Sequence, residues 1–407
     1  MKLSSIDPSL DTLSILRSFY NITESTISSN SENAQAVYAD IDQSFSRSDL
    51  SVFQADFNVI PTAVIGTSNE TACAFGNCTE GNLDIQYITG IAANTTTYFV
   101  NGPLYDVPDP ILFVTWMVGL TTLPILPRVA SISYGISETI LSIDDLMVFD
   151  IEAIKLSVMG VTILAASGDD GANDPSARGD PSNCGYAPSF PSTSQYVLSI
   201  GATYGPGMFL ANSFFFMYKL TQMVGKNTPE VACVSSLCDF SSGGGFATHQ
   251  PLPSFQASLV ESYLSKETPL VGFGAGRGIP DLSLLGFTYS IIVQNALLQD
   301  AGTSAATPVM AALITLVNSA RLSKGMGTLG WIHPSLYQNY ALFTNDITVG
   351  NNFCPAITDA GVFTCCLQGF NATTGWDPVS GLGSIDFKAF YDFYTSPQSN
   401  LHNYCSE

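Results

Sequence analysis

Short runs rich in β-branched residues alternate with segments of helical length through the middle of this 407-residue chain. Residues 129–133, 160–166 and 196–200 have strand composition, and residues 139–159 between the first two have the length of a helix. Strands joined in this way form right-handed βαβ units. The alternation therefore predicts an α/β fold with a doubly wound, mostly parallel central sheet flanked by helices. Ligands bind at the C-terminal ends of the strands in such sheets, so the turn at residues 167–171 is in a functional location.

Weaker patterns cover the rest of the chain. Residues 80–93 are predicted to form a helix because Leu83, Tyr87, Ile88 and Ile91 recur at helical spacing, although Gly81 weakens it. The remaining predictions are irregular structure over residues 6–56 with short helices at 13–20 and 48–54, a strand at 289–294, and mostly loop over 345–384.

The balance of charges excludes some classes of partner. The chain has 13 Lys and Arg residues against 34 Asp and Glu residues, a net charge of -21. Phosphate binding needs clustered basic residues, so we expect no nucleic-acid partner and no anionic membrane surface. With a pI near 4.2, the protein loses its self-repulsion only in acid. This acidity indicates either high solubility alone or a protein built to work in an acidic medium.

Two apolar stretches resemble membrane spans but fall short of about 20 clean apolar residues. Residues 111–127 are uncharged and are interrupted by Pro124, and residues 207–224 contain Lys219. We expect buried elements in both places and no membrane partner.

The nine cysteines and five N-glycosylation motifs point to an oxidising, secretory route. Cys73 with Cys78 and Cys233 with Cys238 can each close a short loop, and the odd count leaves at least one thiol unpaired. The N-terminus lacks the apolar region of a signal peptide, so we expect a mature part or a fragment of a longer protein. The glycosylation motifs begin at Asn21, Asn69, Asn77, Asn94 and Asn371.

A turn of small residues, Gly302-Thr-Ser-Ala-Ala-Thr-Pro308, runs directly into an apolar stretch. Such a turn can place the Ser304 hydroxyl at the first turn of a helix, where free N–H groups face charge that develops on a substrate. We expect Pro308 to cost little there, because its missing N–H would be unpaired in any case. The alternative is a helix start that lets two segments pack closely. A nucleophile also needs a base and an oxyanion donor.

No histidine has the setting of a catalytic base. The chain has only His249, His333 and His402, and His249 is flanked by loop residues, so no Ser-His-Asp triad or zinc site is predicted. Glu80 and Asp84 offer another base, since their spacing puts both carboxylates on one helix face. If buried they would share a proton, and carboxylates still accept protons at about pH 4. The alternative is a solvated acidic face.

Asp169 is the third candidate. A protonated aspartic acid in a dry cleft can donate a hydrogen bond to a developing oxyanion, as one does in ketosteroid isomerase. The alternative is a turn carboxylate that bonds to its own backbone.

Together these residues carry a resemblance to a known family. Six motifs in one order resemble the sedolisin family of serine-carboxyl peptidases, and within it fungal tripeptidyl peptidases. The similarity extends over about residues 13–387. The motifs are Glu80-x-x-x-Asp84, Ser133-Tyr-Gly135, Ser167-Gly-Asp-x-Gly171, Ser242-Gly-Gly-Gly-Phe246, Gly276-Arg-Gly-x-Pro-Asp281 and Gly302-Thr-Ser-Ala305.

The resemblance implies a subtilisin-like fold and a division of roles. Ser304 would be the nucleophile, Glu80 the general base and acid, Asp84 the residue that orients Glu80, and Asp169 the oxyanion acid. The activity implied is acid-dependent peptide hydrolysis through an acyl-enzyme, with tripeptide release from free N-termini or endopeptidase action as alternatives. A non-catalytic secreted binding protein or an inactive peptidase fragment is the hypothesis from another class. Substrate contacts are expected at Ser133, Tyr134, Gly135, Gly168, Gly243 and Gly244.

The family also has a calcium site near its C-terminus. The resemblance implies one structural Ca²⁺, held by carboxylates of Asp346 and Asp377 and by carbonyls of Ile347, Thr373 and Gly375. Oxygen ligands of this kind suit calcium. Without the resemblance, the two aspartates read as solvated turns.

The remaining expectations concern the whole chain. We expect residues 1–407 to form a single peptidase catalytic domain, without the propeptide that helps the family to fold. Residues 207–224 stand where a shorter connection is expected, as an insertion or a gene-model error. Thr373 replaces a more usual glycine, and Ser194 a common cysteine. The protein is expected to be a monomer that acts on peptides or proteins, either secreted or in a vacuole or lysosome-like acidic compartment.

Overall fold

The structure is a computed structural model that describes residues 11–23, 30–40, 43–74, 76–102, 109–205 and 229–397. The segment predicted as an insertion, residues 207–224, lies outside them, as does Cys405.

A parallel sheet forms the centre of the fold. Its strands lie in the order β7-β6-β5-β4-β1-β3-β2, and every neighbouring pair is parallel. A short antiparallel strand, Val231–Ala232, extends it beside β6. The prediction of a mostly parallel sheet is thus confirmed. The strands are β1 (Ala34–Ala39), β2 (Val64–Gly66), β3 (Thr96–Asn101), β4 (Val129–Ile132), β5 (Thr162–Ala166), β6 (Val197–Tyr204) and β7 (Leu282–Leu285).

Helices cover both faces of this sheet. The larger helices are α1 (Thr12–Phe19), α2 (Arg47–Asp56), α3 (Thr79–Ile91), α4 (Asp109–Leu120), α5 (Ile143–Val158), α6 (Ser254–Lys266), α7 (Thr303–Ser323) and α8 (Phe387–Thr395), and the shorter ones are Glu70–Ala74, Ser235–Cys238 and His333–Asn339. One core packs α1, α2, α3 and α7 against the sheet, and a second core packs α4 and α5 against the opposite face. All residues of β1 and β6 are buried, as a sheet covered on both faces requires.

The predicted helices at 13–20, 48–54 and 80–93 correspond to α1, α2 and α3. The helix predicted at 139–159 begins later, at Ile143, because Ser142 caps it with a capping box to Asp145. The helix predicted from Ser304 is also confirmed, as α7.

The irregular structure predicted for residues 6–56 was wrong in one place, since β1 lies there in the middle of the sheet. Its sequence, Ala-Gln-Ala-Val-Tyr-Ala, has weak strand propensity, and only its burial between β3 and β4 makes it a strand.

Helix α7 runs through the first core. Of the described helices, α7 alone is long and apolar enough to cross a membrane, but 89% of that stretch is buried inside the fold, as in a core helix. The uncharged stretch 111–127 lies in α4 as far as Leu120, and Trp116 and Leu120 of this helix are buried.

Smaller pieces complete the fold. The strand predicted at 289–294 is Tyr289–Val293, which forms a hairpin with Ala296–Asp300. The predicted loop pair Cys73–Cys78 is a disulfide, and Cys184–Cys366 and Cys354–Cys365 are two more. The pairing suggested for Cys233 with Cys238 is not formed, since both are buried free thiols.

Candidate active site

Helix α3 carries two of the predicted catalytic carboxyl groups. It begins directly after the Cys73–Cys78 disulfide, which leaves Glu80 in its first turn and Asp84 one turn later. Asp84 is fully buried and Glu80 is half-buried. The intervening Gly81 has a reason to be glycine, because a Cβ there would lie 2.1 Å from the Ser44 carbonyl oxygen.

Ser304 is the second residue of α7, lies next to Glu80 and is connected with Asp84 through Ser133. Its Oγ donates to the Ser133 carbonyl oxygen at 3.2 Å, and its side chain lies near enough to the Glu80 carboxyl to lower the pKa of that group. The Ser133 hydroxyl donates to Asp84 Oδ1 at 2.7 Å. The fold therefore brings Ser304, Glu80 and Asp84 into one cluster around Ser133.

The position of Pro308 differs from the expectation. It lies inside α7, so its missing N–H removes an internal hydrogen bond to the Ser304 carbonyl oxygen. The Ser133 hydroxyl lies 3.4 Å from that oxygen, but its single hydrogen points to Asp84 at 2.7 Å.

The two carboxyl groups of α3 hold a proton strongly. Burial, and after it the charge of Asp84, raises the pKa of Glu80 well above its usual range. Burial also raises the pKa of Asp84, against the lowering effect of the Ser133 hydrogen bond. Glu80 Oε1 and Asp84 Oδ2 are buried without a hydrogen-bond donor. A single proton held between the groups would satisfy both oxygens, which is the expected state of a buried carboxyl pair.

Asp169 follows β5 at the C-terminal edge of the sheet, in the turn singled out by the sequence. The backbone N–H and the hydroxyl of Thr303 donate to Asp169 Oδ1 at 2.8 and 2.9 Å. Burial nevertheless raises the pKa of Asp169 to about 6, despite both bonds from Thr303. Asp169 is therefore protonated in moderately acidic solution.

Gly302 makes the approach of Asp169 possible. Its φ of 149° lies outside the usual range of other residues, and a Cβ there would lie 3.1 Å from Asp169 Oδ2. The glycine of the predicted turn therefore serves both the backbone conformation and the contact between Asp169 and the start of α7.

An ion pair fixes the loop beyond Asp169. The Arg178 guanidinium contacts both carboxylate oxygens of Asp170 at 2.6 Å, and the Ala356 N–H donates to Asp170 Oδ1 at 3.1 Å. The sequence patterns did not identify Arg178 or Asp170, since a bidentate ion pair at this spacing gives no local signal.

A cleft of about 340 Å³ lies in front of Ser304 and Asp169, while Glu80 and Asp84 are not part of its lining. Four of the six expected substrate contacts line it together with Asp169 and Ser304, and they are Ser133, Tyr134, Gly135 and Gly168. Gly243 and Gly244 are buried and do not line it. Their N–H groups donate to the carbonyls of Gly168 and Gly171 at 2.7 and 3.1 Å, so they support the cleft wall from behind.

The five residues expected to hold calcium lie in one loop region. Asp377 is fully buried, and its Oδ2 accepts from the Thr373 N–H at 2.8 Å. Asp346 Oδ2 accepts from the Gly375 N–H at 2.9 Å. The carboxylates of Asp377 and Asp346 thus both bind the segment 373–375. The Ile347 carbonyl accepts a hydrogen bond from the Ser380 hydroxyl, which places it in the same region.

This donor set fits a hard cation, because it combines carboxylate and carbonyl oxygens. Asp377 is a buried carboxylate that accepts hydrogen bonds from backbone N–H groups and from the Ser380 hydroxyl, so a cation would supply an opposite charge. The described residues hold no group of three or more acidic, histidine or cysteine side chains around this point. Backbone carbonyls would therefore have to complete the site.

Comparison with known proteins decides the family. Residues 62–333, about two thirds of the chain, match the model of Peptidase_S8, described as the subtilase family. The chain belongs to the subtilase family.

Relatives of this subtilase include tripeptidyl-peptidase 1 from several species. The Macaca fascicularis protein is 31% identical over 405 residues, which cover 95% of this chain and 64% of that protein. The Bos taurus protein is 32% identical over 400 residues, with the same coverage. In Dictyostelium discoideum the identity is 32% over 385 residues, which cover 92% of this chain and 56% of the relative. The subtilase chain thus spans less than two thirds of the length of these relatives.

A solved structure shares the fold. Pseudomonas sedolisin, a serine-carboxyl proteinase, superposes with a TM-score of 0.70 at 20% identity, covering 97% of this chain and 99% of that one. The subtilisin-like fold predicted for this subtilase is confirmed. Together with the relatives, the fold supports the sedolisin-type assignment made from the six motifs.

Proposed function

We propose that this chain is an acid-acting serine-carboxyl peptidase that hydrolyses peptide bonds through an acyl-enzyme and releases tripeptides from free N-termini. The observation that carries the proposal is that Ser304 and Asp169 line one cleft, with Glu80 next to Ser304 and with Asp84 bonded to Ser133. Among the residues that the structure describes, no histidine lines this cleft. The chemistry therefore has carboxyl groups as its proton carriers.

In the first step, Ser304 Oγ attacks the carbonyl carbon of the scissile bond. Glu80, which lies next to the Ser304 side chain, accepts the hydroxyl proton once the hydroxyl turns from the Ser133 carbonyl towards it. Asp84, held by the Ser133 hydroxyl, keeps Glu80 oriented and shares the proton of the pair.

The negative charge that forms on the carbonyl oxygen needs a donor. Asp169 Oδ1 accepts both bonds from Thr303, which leaves Oδ2 to carry the proton of the neutral acid. A protonated Asp169 can donate this proton in a hydrogen bond to the oxyanion. Glu80 then gives its proton to the leaving amine as the C–N bond breaks, and Ser304 is left as an ester.

A water molecule then hydrolyses the acyl-enzyme, with the proton transfers of Glu80 in the same order as in the first step. Glu80 takes a proton from the water as it attacks the ester carbonyl, and returns that proton to Ser304 Oγ as the peptide acid leaves. The pair must have lost one proton for this chemistry, whereas Asp169 must keep its own. Activity is therefore confined to acid, with an alkaline limb near the Asp169 pKa of about 6.

The names of the relatives, tripeptidyl-peptidase 1, support release of tripeptides. The test uses the purified full chain at about pH 4, a peptide with a free N-terminus and the same peptide N-acetylated, with products identified by mass spectrometry. Cleavage only after the third residue of the free peptide supports the proposal. Internal cleavage of both peptides would instead make the chain an endopeptidase.

A peptide aldehyde that forms a hemiacetal with the serine provides the second arm of the test. A Ser304 adduct on the folded chain, absent in Ser304→Ala, is expected at about pH 4. A folded chain with neither an adduct nor a product would be a non-catalytic binding protein or an inactive fragment.

We also propose one structural Ca²⁺ in the loop of Asp346 and Asp377, where bound metal would hold two chain segments together and supply no catalytic step. For the cell, we propose secretion or delivery to an acidic vacuole or lysosome-like compartment. The three disulfides support an oxidising route, as does the exposure of all five candidate glycosylation asparagines. The single catalytic domain, the monomeric state and the need for a propeptide stay predictions.

A further inference from the structure

A fourth carboxyl group, Asp300, lies beside the catalytic cluster. We propose that Asp300 is a positioning residue that acts on the Glu80–Asp84 pair through its charge, making the pair a stronger proton acceptor for Ser304. This inference rests on the proposed peptidase function and assigns a role to a residue that none of the six motifs contains.

The hairpin holds Asp300 next to α3. Asp300 ends the strand Ala296–Asp300 and lies opposite Tyr289 in the ladder. The Tyr289 ring packs on Tyr87 with centroids 4.4 Å apart. Tyr87 lies three residues after Asp84, on the face of α3 that also carries Glu80. The hairpin therefore sets the Asp300 carboxyl within electrostatic range of both members of the pair.

Hydrogen bonds fix the hairpin against α3. Gln86 Nε2 donates to the Ile292 carbonyl at 2.8 Å, and the Ile292 N–H donates back to Gln86 Oε1 at 2.9 Å. Tyr87 Oη donates to the Ser290 carbonyl at 2.9 Å. These bonds are buried, so the distance from the hairpin to α3 is set by the fold.

Asp300 also faces a second cavity, of about 330 Å³, that it shares with Asp169. Its Oδ1 accepts a hydrogen bond from the Ala301 N–H at 2.9 Å. This bond fixes the Asp300 carboxyl at the start of the short segment that leads to Ser304. The other titratable or charged groups that surround it are Glu80, Asp84 and Tyr87 from α3, Tyr289 from the paired strand, Asp169 and Arg178 from the loop after β5, and Cys238 and Asp239 from the turn after the Ser235–Cys238 helix.

Within this group Arg178 is the only cation, and its charge is already matched by Asp170 at 2.6 Å. An ionised Asp300 is therefore not neutralised locally. Its negative charge raises the pKa of Glu80, after burial and Asp84, and that of Asp84, after burial.

The ionised form of Asp300 decides the sign of the effect. The Ala301 N–H donates to Asp300 Oδ1 and stabilises this ionised form, against the effect of burial. Beside an ionised Asp300, the pair must ionise next to a charge that is already present. A base that ionises with more difficulty binds the Ser304 proton more strongly.

The test compares the pH profile of kcat for the full chain with that of Asp300→Asn, which keeps the acceptor for the Ala301 N–H and removes the charge. We expect the acid limb to move to lower pH by on the order of one unit. We also expect kcat at the plateau to fall by a few-fold, because the pair is a weaker base. An acid limb that stays in place would overturn the inference.

Asp239→Asn is the matched control. Asp239 lines the same cavity, is exposed, and has φ of 64°, a conformation that asparagine tolerates well. The main charge effects on Glu80 and Asp84 come from other residues, Asp300 among them. The acid limb of Asp239→Asn should match that of the unmodified chain. An equal shift in Asp239→Asn and Asp300→Asn would mean that any negative charge at the cavity has the same effect, which would contradict a specific role of Asp300.

A second readout does not need activity. In Ser304→Ala chains labelled with ¹³C at the glutamate carboxyl, the Glu80 resonance, assigned by its loss in Glu80→Gln, is followed through the titration. Its midpoint should fall in Ser304→Ala/Asp300→Asn, and an unchanged midpoint would overturn the inference. A full chain that hydrolyses no peptide would refute the proposed function, while this titration would still decide the role of Asp300.

Discussion

The hydroxyl of Ser133 donates to the buried carboxylate of Asp84 at 2.7 Å. The two residues are 49 positions apart, one at the end of β4 and the other inside α3. Since the carbonyl of the same serine accepts from Ser304 Oγ, Ser133 connects the proton-accepting pair with the nucleophile. Ser133 was expected to contact substrate, and it also holds Asp84, the partner of the base Glu80.

Ser133→Ala should move the acid limb of kcat to higher pH. The Ser133 hydroxyl stabilises the ionised form of Asp84 and lowers its pKa, so its loss raises the pKa of the pair. The substitution also leaves the buried Asp84 carboxylate without this donor, which should lower the free energy of unfolding by about 1 to 3 kcal/mol. The pH profile and the melting temperature measure the two effects.

Ser131→Ala is the control for that substitution. Ser131 is buried on the same strand, and its hydroxyl has no partner. Its removal should leave the acid limb unchanged. If Ser133→Ala gave the same profile as Ser131→Ala, the hydrogen bond to Asp84 would have no part in setting the base.

Asp169→Asn should keep part of the activity and lose most of the alkaline limb. An amide donates a hydrogen bond at every pH, whereas Asp169 stops donating above its pKa of about 6. At about pH 4 we expect a reduction of up to about 10² to 10³ in kcat, because the amide is a weaker oxyanion donor. The profile of kcat between pH 3 and pH 8 checks this, and an alkaline limb that survives in place would remove Asp169 from the role.

The folded protein should be more stable at about pH 4 than at pH 7. The pKa of Asp169 is about 6 in the fold against 3.8 for the free side chain, so the folded state holds this proton more tightly. That stability is fully present below the unfolded pKa and is lost as the pH rises through about 6. The loss from Asp169 alone is about 3 kcal/mol. Thermal unfolding across this range measures it.

Asp169→Asn is also the control for the stability measurement, since its melting temperature should depend less on pH over the same interval. Asp281 does not reverse the trend. Although burial opposes it, the Arg277 guanidinium lowers the pKa of Asp281 well below its usual range, so this contribution is lost only in much stronger acid. A melting temperature that rises from pH 4 to pH 7 would contradict the assignment.

Removal of calcium by a chelator should lower the melting temperature. A bound ion at about 100 times its Kd stabilises the fold by about 3 kcal/mol. Asp346→Asn should abolish the effect, because it removes one of two carboxylate ligands from an exposed position. Asp359→Asn, an exposed carboxylate elsewhere in the C-terminal loops, is the control that should respond to chelator as the unmodified chain does. No response in the unmodified chain would rule out the site.

Gly243→Ala should impair activity although Gly243 does not line the cleft. A Cβ there would lie 2.1 Å from the Ser167 carbonyl oxygen and 2.5 Å from that of Gly168, so the loop that carries Asp169 must move. A displacement of about 1 Å can cost on the order of 10² in rate. Gly185→Ala, where a Cβ meets nothing within 4 Å, should retain full kcat. Equal activity of the two variants would mean that the loop tolerates the shift.

The sequence alone identified the features that depend on local spacing. The four-residue separation of Glu80 and Asp84 fixes them on one helix face, and the small residues after Gly302 start α7 with Ser304 in its first turn. The alternation of strands and helices likewise gave the parallel sheet, and with it the location of the turn that carries Asp169.

Tertiary packing decided the rest. The contact of Thr303 with Asp169 spans 134 residues, the burial that raises the pKa of Asp169 comes from several elements, and Asp300 reaches α3 only through the hairpin. β1 is a strand because of its neighbours, and Gly243 supports a wall that it does not line. Helix and strand periods are properties of neighbouring residues, whereas burial and charge environment depend on which distant segments pack together, so only the folded chain shows what the Ser304 turn faces.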